Sequence, residues 1–239
     1  MHRIGVIIPS SNTTVEKEFS KILLNNDVSL HFTRIHLTDV TINDLSRMEK
    51  DVYVAAQLLK DACVELIVFA CTSGSLIKGF DYDRQIAEEI TNLTGCNAIT
   101  TSRAVITSLK TLKVRKISLA TPYIKDVTDK EIDFLQLHGF EIVKTRFLNI
   151  RENIQIGNLS PFCAEEIVKN VDSPDAEAVF ISCTNFRTFQ VLSSLEKIIC
   201  KPVVSSNSVT LWAILNILKI QCSPDLGCLF NIRNPDKLV

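Results

Sequence analysis

The sequence predicts an α/β fold with mainly parallel sheets, arranged as two similar lobes. Short runs rich in Val, Ile, Leu and Phe alternate with helical patterns along the chain. Continuous apolar runs of this kind suit parallel strands covered on both faces, and their alternation with helices is the mark of β-α units. The order of parts also repeats. "RIGVIIP" at 3–9 matches "KISLATP" at 116–122, and "VFACTSG" matches "VFISCTN" with Cys71 and Cys183 112 positions apart. "ITTSRAV" at 99–105 resembles "VSSNSVT" at 204–210. A period that long does not fit a solenoid; it points to one unit of about a hundred residues present twice.

Eight strands are expected, at residues 4–9, 28–35, 65–70, 98–100, 116–120, 141–148, 178–182 and 202–205. Residues 51–62 form a helix in which Val54, Ala55, Leu58, Leu59 and Ala62 share one face. Thr128 and Glu131 have the spacing of a capping box, and Gly139 follows as a C-terminal stop. Ser160-Pro161 reads as an N-cap with proline at the first helical position. Residues 208–220 make a strongly apolar helix whose Trp212 belongs to the core. No Pro/Gly/Ser-rich linker separates the repeats, so the lobes should pack tightly, with the ligand site in the cleft between them. The expected division is 1–102 plus 208–239 for the first lobe and 103–207 for the second.

Composition narrows the function. The chain has 239 residues, 46% hydrophobic and 22% charged, with net charge -1, so no electrostatic grip on nucleic acid or an anionic membrane is expected. The first apolar run is too short for a signal-peptide core, and no stretch approaches the roughly 18 apolar residues of a membrane span. A cytoplasmic protein is expected. Its eight cysteines are then reduced thiols. No C-x-x-C occurs and no histidine sits at a ligand spacing from a cysteine, so no zinc site is expected.

Chemistry concentrates where strands end, because ligands of parallel sheets bind beyond the carboxyl ends. Cys71 and Cys183 each close an apolar run and are each followed by threonine. Opposed across one cleft, one thiolate attacks or deprotonates a carbon and the other thiol gives a proton. A free thiol has a pKa near 8.5, so thiolate needs local support, here from the backbone of the turns Thr72-Ser73-Gly74 and Thr184-Asn185. The other six cysteines read as inert core residues. Ser10, Ser11, Asn12 and Thr13 offer uncharged donors for a carboxylate; Asn12 or Thr13 serves equally well as a helix N-cap. Tyr123 is either a donor to a substrate oxygen or a packing residue, and Arg187 either neutralises an acid or lies on the surface.

Together "IPSSNTTVEKEF", "ACTSGS", "TPY" and "SCTNFRT" resemble the maleate cis-trans isomerases of the aspartate/glutamate racemase superfamily, from residue 3 to about 220. The resemblance implies two pseudosymmetric Rossmann-like lobes, each with a mainly parallel four-stranded sheet flanked by helices. It implies no metal, no pyridoxal phosphate and no other cofactor. It makes Cys71 the nucleophile that adds to maleate as a succinyl-like adduct, and Cys183 the proton donor and acceptor that lets fumarate leave. Asn12, Thr72, Ser73, Tyr123, Asn153, Thr184 and Asn207 would hold the carboxylates of this small dicarboxylate, with Ser10 and Asn185 beside them. Arylmalonate decarboxylases resemble the pattern but have glycine at the first cysteine, so Cys71 argues against decarboxylation. Where relatives read Glu-Pro-Glu-Phe, this chain has Lys17, expected on an outer helix face. The stretch "FDYDRQIAEEI" carries no assigned substrate role. Two other functions fit paired cysteines: a racemase of an amino acid or hydantoin, and an inactive dicarboxylate-binding homologue. A homodimer or homotetramer is the family tendency.

Overall fold

The computed structural model describes residues 1–24 and 26–232. Eight strands form two four-stranded sheets in which every pairing is parallel. The first contains β1 (His2–Pro9), β2 (Val28–Ile35), β3 (Leu66–Phe69) and β4 (Asn97–Thr100) in the order β2-β1-β3-β4. The second contains β5 (Lys116–Thr121), β6 (Glu141–Phe147), β7 (Ala178–Ile181) and β8 (Val203–Ser205) in the order β6-β5-β7-β8. The two orders are the same, as the internal repeat implied. All eight expected strands are present within two residues of their expected ends. The centre strands β1, β3, β5 and β7 are almost wholly buried, which is why their sequences run apolar without alternation.

Helices cover both sheets. Before and between the strands of the first lie α1 (Val15–Leu23), α2 (Ile42–Arg47), α3 (Glu49–Asp61), α4 (Thr72–Leu76) and α5 (Tyr82–Thr94). Then α6 (Thr101–Thr111) leads to the second sheet, which carries α7 (Lys125–Leu137), α8 (Asn153–Asn158), α9 (Pro161–Val171), α10 (Leu192–Ile199) and α11 (Ser206–Ile217). The helix α11 leaves the second sheet and packs on α6, with Thr101 and Thr210 hydroxyls 3.0 Å apart. It is buried all round, Trp212 included, as its unbroken apolar sequence required. A second tie comes from residues 150–153, whose backbone bonds the loop after β2: Val40 N–H to Arg151 O at 2.7 Å and Asn153 N–H to Thr38 O at 2.8 Å. Among the described residues no helix is long and apolar enough to cross a membrane.

Ser160 caps α9 by accepting from Phe162 N–H, Gly139 takes φ 93° after α7, and Lys17 is exposed, all as expected. Three expectations are corrected. In α3 the buried face is Val52, Ala55, Ala56 and Leu59, while Val54 and Leu58 are more than half exposed. The true stripe starts two residues earlier, because the helix begins at Glu49. Thr128 and Glu131 form no capping box: α7 starts at Lys125, Thr128 donates to Ile124 O inside it, and Glu131 is buried. The six cysteines outside the strand ends are free, but only Cys96, Cys163 and Cys222 pack against the core, half-buried; Cys228 is half-buried elsewhere, and Cys63 and Cys200 are exposed. Cys63 and Cys200 sit in left-handed turns after α3 and α10, which exposes them.

Candidate active site

Both cysteines lie where the centre strands β3 and β7 end, and both are buried. The strand ends touch: the Thr184 hydroxyl, one residue past Cys183, donates to the carbonyl of Ala70, one residue before Cys71, at 3.1 Å. The sulphurs are close enough that charge on Cys71 disfavours charge on Cys183. The repeat therefore brings two thiols to one place from opposite sheets.

The two are held differently. Cys71 has an extended backbone and acts as N-cap of α4, its Sγ accepting from Gly74 N–H at 3.4 Å and from the Ser73 side chain. Cys183 sits at φ 90°, a conformation costly for a residue with a Cβ and typical of functional turns. Its Sγ accepts from Asn185 N–H at 3.4 Å and from the Tyr123 hydroxyl. These bonds favour thiolate, yet burial outweighs them: the Cys71 thiol is pushed up to about 11 and that of Cys183 to about 12. Both are neutral thiols at pH 7. The backbone support expected from sequence is present, but it does not by itself make a thiolate.

A web of uncharged side chains fixes this junction. Asn12 Oδ1 accepts from the N–H of Thr14 and Val15, the N-cap and first residue of α1, at 3.0 Å, while its Nδ2 donates to Thr184 Oγ1 at 3.2 Å. The N-cap expected at Asn12 or Thr13 is instead Thr14, and one amide hydrogen of Asn12 stays available. Asn153, first residue of α8, donates to Ser11 Oγ at 2.8 Å and also keeps one. Tyr123 is fully buried against Cys183, which decides against a plain packing role. Thr72 donates to Ser206 Oγ at 2.8 Å.

Besides Thr72 and Thr184, whose hydroxyl hydrogens go to Ser206 and Ala70, three more of the expected substrate contacts have their side-chain hydrogens engaged within the protein. Ser10 is spent on the loop after β2, exchanging bonds with Leu37 N–H and O. Asn185 uses both amide hydrogens on Ser11 O and Asn153 O, and its Oδ1 takes Thr13 N–H. Asn207 gives both of its amide hydrogens away, to Glu18 Oε2 at 2.6 Å and Thr184 O at 3.0 Å. Each lies beside the site with no side-chain N–H or O–H left over. Arg187 faces away, clamping the carbonyls of Asn158 and Leu159 at the end of α8.

Two buried carboxyls were not anticipated as site residues. Glu18 accepts from Thr188 N–H, Phe189 N–H and Asn207, and burial raises its pKa to about 7 despite those bonds. Glu131 accepts from Ser182, the neighbour of Cys183, at 2.5 Å, and burial raises it to about 8. Their signal was available: each sits at helical spacing among apolar residues, Glu18 with Val15 and Phe19, Glu131 with Val127 and Phe134.

Two like α/β units with a buried thiol pair at their junction define the class of enzyme to which the chain belongs. The chain belongs to the arylmalonate decarboxylase family, whose model matches residues 4–230. It is 29% identical to a maleate isomerase of Geobacillus stearothermophilus over 96% of this chain and 97% of that protein. A solved maleate isomerase variant from Pseudomonas putida S16, bound to maleate, superposes with a TM-score of 0.91 at 28% identity, covering 96% of this chain and 97% of the other. A maleate cis-trans isomerase variant from Nocardia farcinica, carrying a covalently bound succinylcysteine intermediate, has the same fold, with a TM-score of 0.91 at 22% identity over 96% of this chain and 98% of the other.

Proposed function

We propose that this protein is a cofactor-independent isomerase that converts maleate, or a closely similar small cis-dicarboxylate, to its trans isomer. One observation carries the reading: two buried thiols from equivalent strand ends meet at a junction tied by the Thr184–Ala70 hydrogen bond. The likeness to maleate isomerases over nearly the whole chain supports it.

The active form carries one negative charge on the thiol pair. Cys71 thiolate attacks one vinylic carbon of maleate, forming a C–S bond, and the π electrons move to the other carbon. That carbon takes the proton of Cys183. The central bond is now single and turns. Cys183, now thiolate, removes a proton from the same carbon, the C–S bond breaks, and the trans product leaves with Cys71 again a thiolate. No group is consumed and no redox change occurs. The remaining amide hydrogens of Asn12 and Asn153 hold carboxylate oxygens without a cation, while the hydroxyls of Ser73 and Tyr123 stay on the two sulphurs.

Intact-mass and peptide mapping of Cys183→Ser incubated with maleate tests this order of events. Mass equal to one maleate should appear on the peptide containing Cys71. Mass on another cysteine, or none with turnover retained, would contradict the assignment.

A further inference from the structure

We propose that Asp81, Asp83 and His138 form a divalent-metal site that fastens the start of α5 to the end of α7, independent of the reaction itself. One ligand atom from each lies within 4.8 Å of the other two. His138 Nδ1 is 2.8 Å from the carbonyl of Phe134. A carbonyl only accepts, so Nδ1 carries the hydrogen and, in the neutral ring, Nε2 carries the lone pair. That Nε2 is buried without a hydrogen-bond partner. Asp83 is 0% exposed; its oxygens lack a hydrogen bond of good geometry, but Arg103 Nε and the backbone N–H of Arg84 lie beside the carboxyl.

An imidazole nitrogen and two carboxylates thus converge, with the Arg103 guanidinium beside them. Such a cluster calls for a cation. Arg103 answers in part: its Nε lies 2.8 Å from Asp83 Oδ2 and its Nη2 3.5 Å from Asp81 Oδ1. It approaches one oxygen of each carboxylate from outside the cluster, as outer groups around a metal do, while its Nε makes no hydrogen bond of good geometry. Two carboxylates and one guanidinium leave the cluster with one net negative charge, which suits a divalent ion. Ligands about 2.0–2.2 Å from a tetrahedral zinc lie about 3.3–3.6 Å apart, so the three groups would draw in by up to about 1.5 Å on binding. The donor set of one imidazole and two carboxylates fits zinc, manganese or cobalt rather than a thiol-seeking ion. Asp81 lies five residues beyond the last residue of α4, the helix that Cys71 caps. An ion here would therefore brace one wall of the thiol site against α7.

Cobalt(II) titration of the whole protein, followed by visible absorption and thermal melting, is the test. One equivalent should bind with a d–d spectrum lacking sulphur-to-cobalt charge transfer. The melting temperature should rise by about 5 °C or more at cobalt a hundredfold above its Kd. His138→Gln and the milder, half-exposed Asp81→Asn should each weaken binding at least tenfold while melting cooperatively without metal. No spectrum and no thermal shift would overturn the proposal. So would a charge-transfer spectrum that survives in both variants, because the metal would then sit on cysteines.

Discussion

At the scale of single residues, the decisive fact is that both site thiols are neutral at pH 7. Burial holds Cys71 near 11 and Cys183 near 12, against hydrogen bonds that pull both down. The working thiolate is thus a minor species at neutral pH, and its population grows about tenfold per pH unit. Steady-state kinetics should show kcat/KM rising by about that factor per unit from pH 7 to 9. The Tyr123 hydroxyl lowers the Cys183 pKa. Tyr123→Phe should therefore make Cys183 a weaker proton donor and cut kcat, while the rising limb, set by Cys71, stays in place; a flat profile for both proteins would mean that a thiolate is already formed at neutral pH. The residues were only half legible beforehand. Cys71, Cys183 and Tyr123 stood out because they end strands. The framework roles of Ser10, Asn185 and Asn207 did not, because an amide's partners depend on segments up to 189 positions away.

At the scale of elements, the site depends on close backbone approach rather than on charge. Gly157 of α8 faces Thr13 and Asn185, and a Cβ there would stand 2.9 and 3.0 Å from the end atoms of Asn185 and closer still to Thr13 Oγ1. Gly157→Ala should cost about 1–3 kcal/mol and raise KM more than it lowers kcat, since it displaces donors and leaves the thiols in place. Denaturant unfolding and initial rates check both halves. The elements themselves were well written in the sequence: apolar runs, caps and the stop at Gly139 all marked real boundaries. Where they misled, tertiary burial overruled a local pattern. Glu131 had the spacing of a cap, but Thr128 had already been absorbed into a helix beginning three residues earlier.

At the scale of the whole molecule, the two parallel sheets share one strand order, and their junction buries two carboxyls whose folded pKa values lie above the ordinary 4.5, Glu18 at about 7 and Glu131 at about 8. Folding holds these protons. The stabilising contribution is full below about pH 4.5 and is lost as pH rises through 7 and 8, where the unfolded chain releases protons that the folded chain retains. Glu131→Gln should leave stability nearly unchanged at pH 4.5. At pH 8 it should raise stability by on the order of a few kcal/mol, read from melting curves at both pH values. An equal effect at both would mean that the carboxyl is ionised in the fold. The repeat made the paired sheets legible from sequence, whereas the depth of burial at their junction emerged only from packing.

The most direct measurement is proton NMR of the purified protein with maleate in D2O. The vinyl signal of maleate should give way to that of fumarate, and the conversion should disappear in both Cys71→Ala and Cys183→Ala. Conversion that persists in either variant, or an unreacted maleate signal with the intact protein, would contradict the two-thiol isomerase.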